Sequence, residues 1–135
     1  MGIPPLTVTF YNTSTGGSPT GCLWTFGDST VSSSCGNQVT KSYTTRGTYT
    51  VSLTIDGQMV SRASYVLVGC KVPAFAGVHV SNVQTNWTNA GFSASNLSYL
   101  DGQGNGNYKI GYQSLAGGLV NPSGGCSGAT VTVGP

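Results

Sequence analysis

Two segments with strict two-residue alternation constrain this chain more than anything else in it. Cys22, Trp24 and Phe26 recur at every second position, and so do Tyr49, Val51, Leu53 and Ile55. Side chains two apart on an extended backbone share a face, so each segment predicts a strand with one buried side. Gly27-Asp28 closes the first strand with a residue free to turn and one able to bond its own main chain, and Gly47 stands before the second. Leu6, Val8 and Phe10, alternating with Thr7 and Thr9, predict an earlier strand, residues 12–21 a Ser/Thr/Gly/Pro loop, and Tyr65-Val66-Leu67-Val68 a short apolar strand.

Only 6% of the residues are charged against 38% hydrophobic. That combination excludes a disordered chain, which pairs low hydrophobicity with high net charge. The five cations Lys41, Arg46, Arg62, Lys71 and Lys109 are dispersed and the formal charge is +2, so no basic stripe exists to neutralise phosphates and nucleic acid is not an expected partner. No apolar run approaches the roughly 20 residues that span a bilayer, so no membrane insertion is expected. The opening Met1-Gly2-Ile3-Pro4-Pro5-Leu6 lacks the basic and apolar regions of a secretory signal. Three origins fit that: an excised piece of a longer secreted protein, export without such a signal, or a virion protein.

The second half is built differently. Val before Pro73 is pushed into extended backbone, so Lys71 to Gly77 predicts a strand at its opening. Val80, Val83, Trp87 and Ala90 recur at three- and four-residue steps and predict a short helix, with Ser81 as its early cap and Gly91 as its left-handed end. Leu97 to Leu100 predicts a strand, residues 102–107 a glycine-rich turn, Tyr108, Ile110 and Tyr112 one face of a further strand, and Ala129, Val131 and Val133 the last.

The order Trp24-x-Phe26-Gly27-Asp28, Tyr43, then Gly47-x-Tyr49-Thr50-Val51-x-Leu53 resembles the PKD domain, an immunoglobulin-like β-sandwich of extracellular proteins. The resemblance spans residues 4–68, and departs from the family where Ser29-Thr30 replaces the usual Gly after the Asp. Val72-Pro73-x-Phe75-x-Gly77, a helix ending in Trp87-x-x-Ala90-Gly91-Phe92, Gln113-Ser114, Gly117-Gly118 and a closing Ala129-Thr130-Val131-Thr132-Val133 resemble the PASTA domain over residues 70–133. Its departures are two cysteines, the Gly104-Asn105-Gly106 turn and the stretch from Asn121 to Gly125. The fold implied is mainly β: a PKD-type sandwich over residues 1–68, then a small α+β PASTA-like domain over residues 69–135. PASTA domains of bacterial kinases and penicillin-binding proteins are associated with muropeptides, but no ligand residues carry over.

Four cysteines without close C-x-x-C spacing, in a chain of extracellular type with one His, favour disulfides over metal, and three pairings are open. The two-domain resemblance selects Cys22 with Cys35 and Cys70 with Cys126, each stabilising its half by roughly 3 to 4.5 kcal/mol in the chain-entropy model.

Catalysis is not expected. Asp28, Asp56 and Asp101 are spread through turn-like contexts, His79 has no evident nucleophile or carboxylate beside it, and no G-x-S-x-G elbow occurs. No cofactor or metal is expected, Asp28 reading as a turn-former and not a calcium ligand. Trp24, Phe26, Tyr43 and Tyr49 fall at family core positions; for Tyr11, Tyr99, Tyr108 and Tyr112 the resemblance leaves core and surface open. Tyr108 and Tyr112 read first as core beside Ile110, and if exposed they become the candidate contacts for a sugar or protein partner. The expected function is a structural and adhesive module, extracellular or at the cell surface, of a bacterial surface or pilus-associated protein, with a protein, cell-wall or glycan partner or self-assembly. The alternative is a viral structural protein of the virion, such as a capsid decoration or fibre component.

Overall fold

The two alternating segments become neighbouring strands of one sheet, with their apolar side chains on one face. A computed structural model describes residues 1–120 and 125–135, which divide into two compact units, Ile3–Val68 with Met1 and Gly69–Pro135 with Gly2. The first unit contains β1 (Leu6–Tyr11), β2 (Cys22–Thr25), β3 (Val31–Ser32), β4 (Gln38–Tyr43), β5 (Gly47–Ile55) and β6 (Gln58–Val68). β1 and β4 form an antiparallel pair, Leu6 opposite Tyr43 and Tyr11 opposite Gln38. The other four form a sheet in the order β3-β2-β5-β6. Phe10 and Tyr43 from the pair enclose one core with Trp24, Phe26, Tyr49, Val51, Val66 and Val68. The Phe10 ring lies 6.0 Å from Trp24 and 5.7 Å from Phe26, tilted in both cases. The polar ends of the buried tyrosines are satisfied: Tyr43 donates to the Phe26 carbonyl at 3.1 Å and Tyr49 to the Thr45 carbonyl at 2.7 Å. Burial, with the nearby Asp28 charge, pushes the Tyr43 hydroxyl up to about 12.

Gly27 is glycine for a steric reason. Its φ is +80°, and a Cβ there would stand 2.6 Å from the Thr50 carbonyl oxygen. Asp28 then accepts from the Thr30 amide and hydroxyl and pairs with Lys41 at 2.7 Å, closing the turn. Ser29, at the position where the resembling motif has glycine, adopts φ 68° and keeps the left-handed turn at the expense of backbone strain.

β6 begins at Gln58, well before the apolar run Tyr65–Val68 in which the sequence predicts it. Residues 58–65 are exposed, so no apolar alternation marks them; the ladder to β5 and a two-residue Asp56-Gly57 turn hold them instead. Both turn residues have positive φ, 46° and 83°, the geometry whose twist matches an antiparallel hairpin.

The second unit contains β7 (Cys70–Val72), helix α1 (Val80–Asn89), a 3₁₀ turn (Ala94–Asn96), β8 (Leu97–Tyr99), β9 (Tyr112–Gln113), β10 (Gly118–Val120), the short helix α2 (Gly125–Gly128) and β11 (Val131–Gly134). β11 is central in the order β8-β11-β9, parallel to β8 and antiparallel to β9, while β7 pairs antiparallel with β10. Val80, Val83 and Trp87 are the buried face of α1. Trp87 stacks on Phe92 at 4.0 Å and 14°, and its indole N–H donates to the Ser93 carbonyl. Gly91, at φ 92°, ends the helix; its amide donates to Thr88 O and the Phe92 amide to Trp87 O, a Schellman closure. The N-cap is His79 and not Ser81: His79 Nδ1 accepts from the Ser81 amide, and its Nε2 lies 3.0 Å from Asn107 Oδ1. Histidine can cap because an unprotonated ring nitrogen is an acceptor within reach of a first-turn amide.

Tyr108, Ile110 and Tyr112 are not one strand. Ile110 exchanges main-chain bonds with Gly77 and Val78, Gly111 switches to Gly134, and only Tyr112–Gln113 joins the sheet. Gln113 also clasps the opening of the unit: its Oε1 accepts from the Phe75 amide, and its Nε2 donates to the Pro73 and Leu115 carbonyls. Cys22 is bonded to Cys35 and Cys70 to Cys126, with Cα separations of 5.3 and 5.8 Å, each pair inside one unit. Of the stretch from Asn121 to Gly125 singled out in the sequence, residues 121–124 lie outside the described residues.

Two substitutions in the Gly27–Ser29 turn have opposite expected outcomes in urea unfolding. Gly27→Ala combines a left-handed penalty with a backbone clash and lowers stability by about 2 kcal/mol or more. Ser29→Gly relieves the same kind of penalty without a lost contact and raises stability by about 1 kcal/mol.

Candidate functional site

A sheet of two strands cannot cover a sheet of four, and the uncovered part of the first unit is a groove of about 710 Å³. Phe10 and Trp24 line it from the core, Tyr11 and the loop from Asn12 to Thr15 form one wall, and Ile55, Gln58, Val60, Arg62 and Tyr65 form the other. Its size is within the roughly 300–1,000 Å³ of small-molecule sites. Tyr11 is 67% exposed and Tyr65 55%, both large apolar bodies held in solvent.

Tyr65 reaches the groove because β6 is bulged. Tyr49 pairs with Val66 and Val51 with Arg62, so Ala63, Ser64 and Tyr65 face Thr50 alone. Ser64 takes φ 52° to make this possible, and its amide donates to Thr50 Oγ1. Bulges re-aim side chains in this way. The Tyr65 ring is braced by Phe10 at 6.2 Å and lies 5.8 Å from the Arg62 guanidinium carbon. Asn12 anchors its loop by donating from its amide to Asn37 O and accepting the Ser14 amide at Oδ1. Trp24 Nε1 is buried without a partner among the described residues, at a cost of about 1–3 kcal/mol.

The carboxylates are structural acceptors. Asp56, at the end of the groove, accepts the Thr20 hydroxyl, the Gly21 amide and the Thr20 amide at one oxygen, and these hold its carboxyl below the ordinary value of 3.8. Asp101 accepts the Gly104 and Gln103 amides and the Tyr108 hydroxyl; it too is lowered, chiefly by the Gly104 amide. For Asp28, partial burial pushes upward but the bonds from Lys41 and Thr30 outweigh it, leaving a lowered value. Among the described residues no three His, Cys, Asp or Glu side chains gather as a metal site, and no helix is long and apolar enough to cross a membrane.

The two tyrosines singled out in the second half are treated differently by the fold. Tyr108 packs partly buried on the core and donates to Asp101 at 2.8 Å, whereas Tyr112 is 48% exposed on β9. The groove residues are absent from the sequence-level candidates because they lie over fifty positions apart and meet only through the sandwich. The one signal available was that Tyr11 is not among the aromatics that the resemblance assigns to the core.

The family model for the PKD domain matches residues 5–65, the span of β1 to β6 short of the last three residues. Comparison with curated proteins and with solved structures gave no match.

The lowered carboxylates fix the sign of the pH response. A group whose folded pKa is depressed contributes stability that is complete above its unfolded value, near 3.8, and is lost as pH falls through the folded one. Urea unfolding of the first unit is therefore expected to be flat above about pH 5 and to weaken below about pH 4. Asp28→Asn, which deletes the Lys41 ion pair, should reduce that decline; stability that rises on acidification would contradict the assignment.

Proposed function

We propose that this chain is a non-enzymatic module with structural and adhesive work, carried outside the cell by a bacterial cell-surface or pilus-associated protein. The observation that carries the reading is the match of residues 5–65 to the PKD domain, a non-catalytic immunoglobulin-like family typically found in extracellular proteins. Two disulfides support it, since such bonds persist in oxidising compartments. The second unit is read as PASTA-like. Supporting this are a helix ending Trp87-x-x-Ala90-Gly91-Phe92 and a three-stranded sheet that includes Val131–Gly134, which follow one another as the resembling sequence pattern does.

Adhesion is a surface property, and the surface offers chemistry for it. Hydroxyls and amides replace charges over most of it, and exposed aromatic side chains such as Tyr11, Tyr65 and Tyr112 interrupt it. Partners of protein, cell-wall or glycan type all fit such a surface, and so does self-association through its exposed aromatic side chains.

Antibody against the chain should label intact, unpermeabilised source cells, and protease added outside should remove that label. Labelling that requires permeabilisation would contradict an extracellular position.

A further inference from the structure

We propose that the groove between β1 and β6 of the first unit binds an uncharged oligosaccharide, stacked on Tyr11 and Tyr65 and hydrogen-bonded by Asn12, Gln58 and Arg62. The proposal rests on the adhesive reading above and gives it a site and a ligand class.

A sugar ring has C–H groups on its faces and hydroxyls around its rim. It therefore needs aromatic faces, whose negative π surface attracts C–H groups, and planar polar side chains that can bond neighbouring hydroxyls. The groove has both. Tyr11 and Tyr65 hold their rings mostly in solvent, and Tyr65 is fixed from the core by Phe10 and alongside by Arg62, so little freedom remains to be lost on stacking. Asn12 uses only its Oδ1, on the Ser14 amide, which leaves its NH₂ available. Among the described residues the side chains of Gln58 and Arg62 have no protein hydrogen-bond partner.

Charge selects a neutral ligand. Arg62 is the groove's cation and Asp56 its carboxylate, so neither a polyanion nor a polycation is favoured. A peptide strand added to β6 is the competing occupant. The three-residue bulge and the cation of Arg62 interrupt that edge, the devices by which sheets discourage strand addition.

The test is calorimetric titration of the full chain with uncharged oligosaccharides from chitin, cellulose and mannan, and with uronic-acid oligosaccharides for contrast. An uncharged member should bind, and Tyr11→Ala, Tyr65→Ala and Gln58→Ala should each weaken it, the tyrosines by roughly tenfold or more. Because Tyr65 also touches Phe10, its variant is paired with Gln58→Ala, which leaves the melting temperature unchanged while losing affinity. Absence of binding to every uncharged oligosaccharide, binding of the uronic-acid set alone, or affinity indifferent to both tyrosines overturns the proposal. Binding lost in Tyr112→Ala but kept in the groove variants also overturns it, while leaving the adhesive reading intact. Failure of surface labelling on intact cells would instead defeat that reading itself.

Discussion

Two aromatic rings join the two sheets of the first unit, Tyr43 over Tyr49 and Phe10 against Trp24, and the Phe10 ring is the one that borders the groove. Phe10 is the buried side chain that β1 contributes, and it meets Trp24 and Phe26 from the opposing sheet. Tilted aromatic pairs at such separations contribute about 0.5–1.5 kcal/mol beyond their area burial. More follows from the placement than from that energy. With Phe10 inserted, Tyr43 lies over Tyr49 and closes one end of the core, while the far side of β5 and β6 stays uncovered. The groove is the geometric residue of covering four strands with two. The same ring braces Tyr65 at its margin, so core and candidate site share one contact.

Scarcity of charge shapes the remainder. With five cations and three carboxylates in 135 residues, ion pairing cannot be general, and the described structure has one short pair, Lys41 with Asp28. Each aspartate acts as an acceptor for turn amides and hydroxyls. Disulfides take up part of the stabilisation that small cores lack. In the second unit the equivalent anchor is Trp87, with no exposed surface, and the Gln113 clasp supplies side-chain hydrogen bonds where the strands are too short for a long ladder.

Residues whose burial repeats at a fixed period were legible from sequence. Cys22, Trp24, Phe26 and Tyr49 are core as the two-residue period requires, and Val80, Val83 and Trp87 are the helical face that the longer period indicates. What escaped has no period. Gln58–Tyr65 is exposed and held by main-chain bonds, so only the Asp56-Gly57 pair could have announced it. The His79 cap depends on which acceptor reaches a helix amide, and Ser81 is an equally good candidate until geometry decides. Tyr108 looked like a strand residue because alternation cannot distinguish a continuous strand from a segment whose main-chain partners change at Gly111. The groove required the bulge at Ser64 and the approach of Tyr65 to Phe10, both tertiary facts.

If Phe10 is a contact on which both sheets depend, removing it must be felt beyond its own strand. Native-state hydrogen exchange on the Phe10→Ala chain tests this residue by residue. The account predicts that protected amides of β1, β4, β2 and β5 lose stability together, by about 3–5 kcal/mol for a buried Phe truncation. Loss confined to β1 and β4, with β2 and β5 as protected as before, would contradict it.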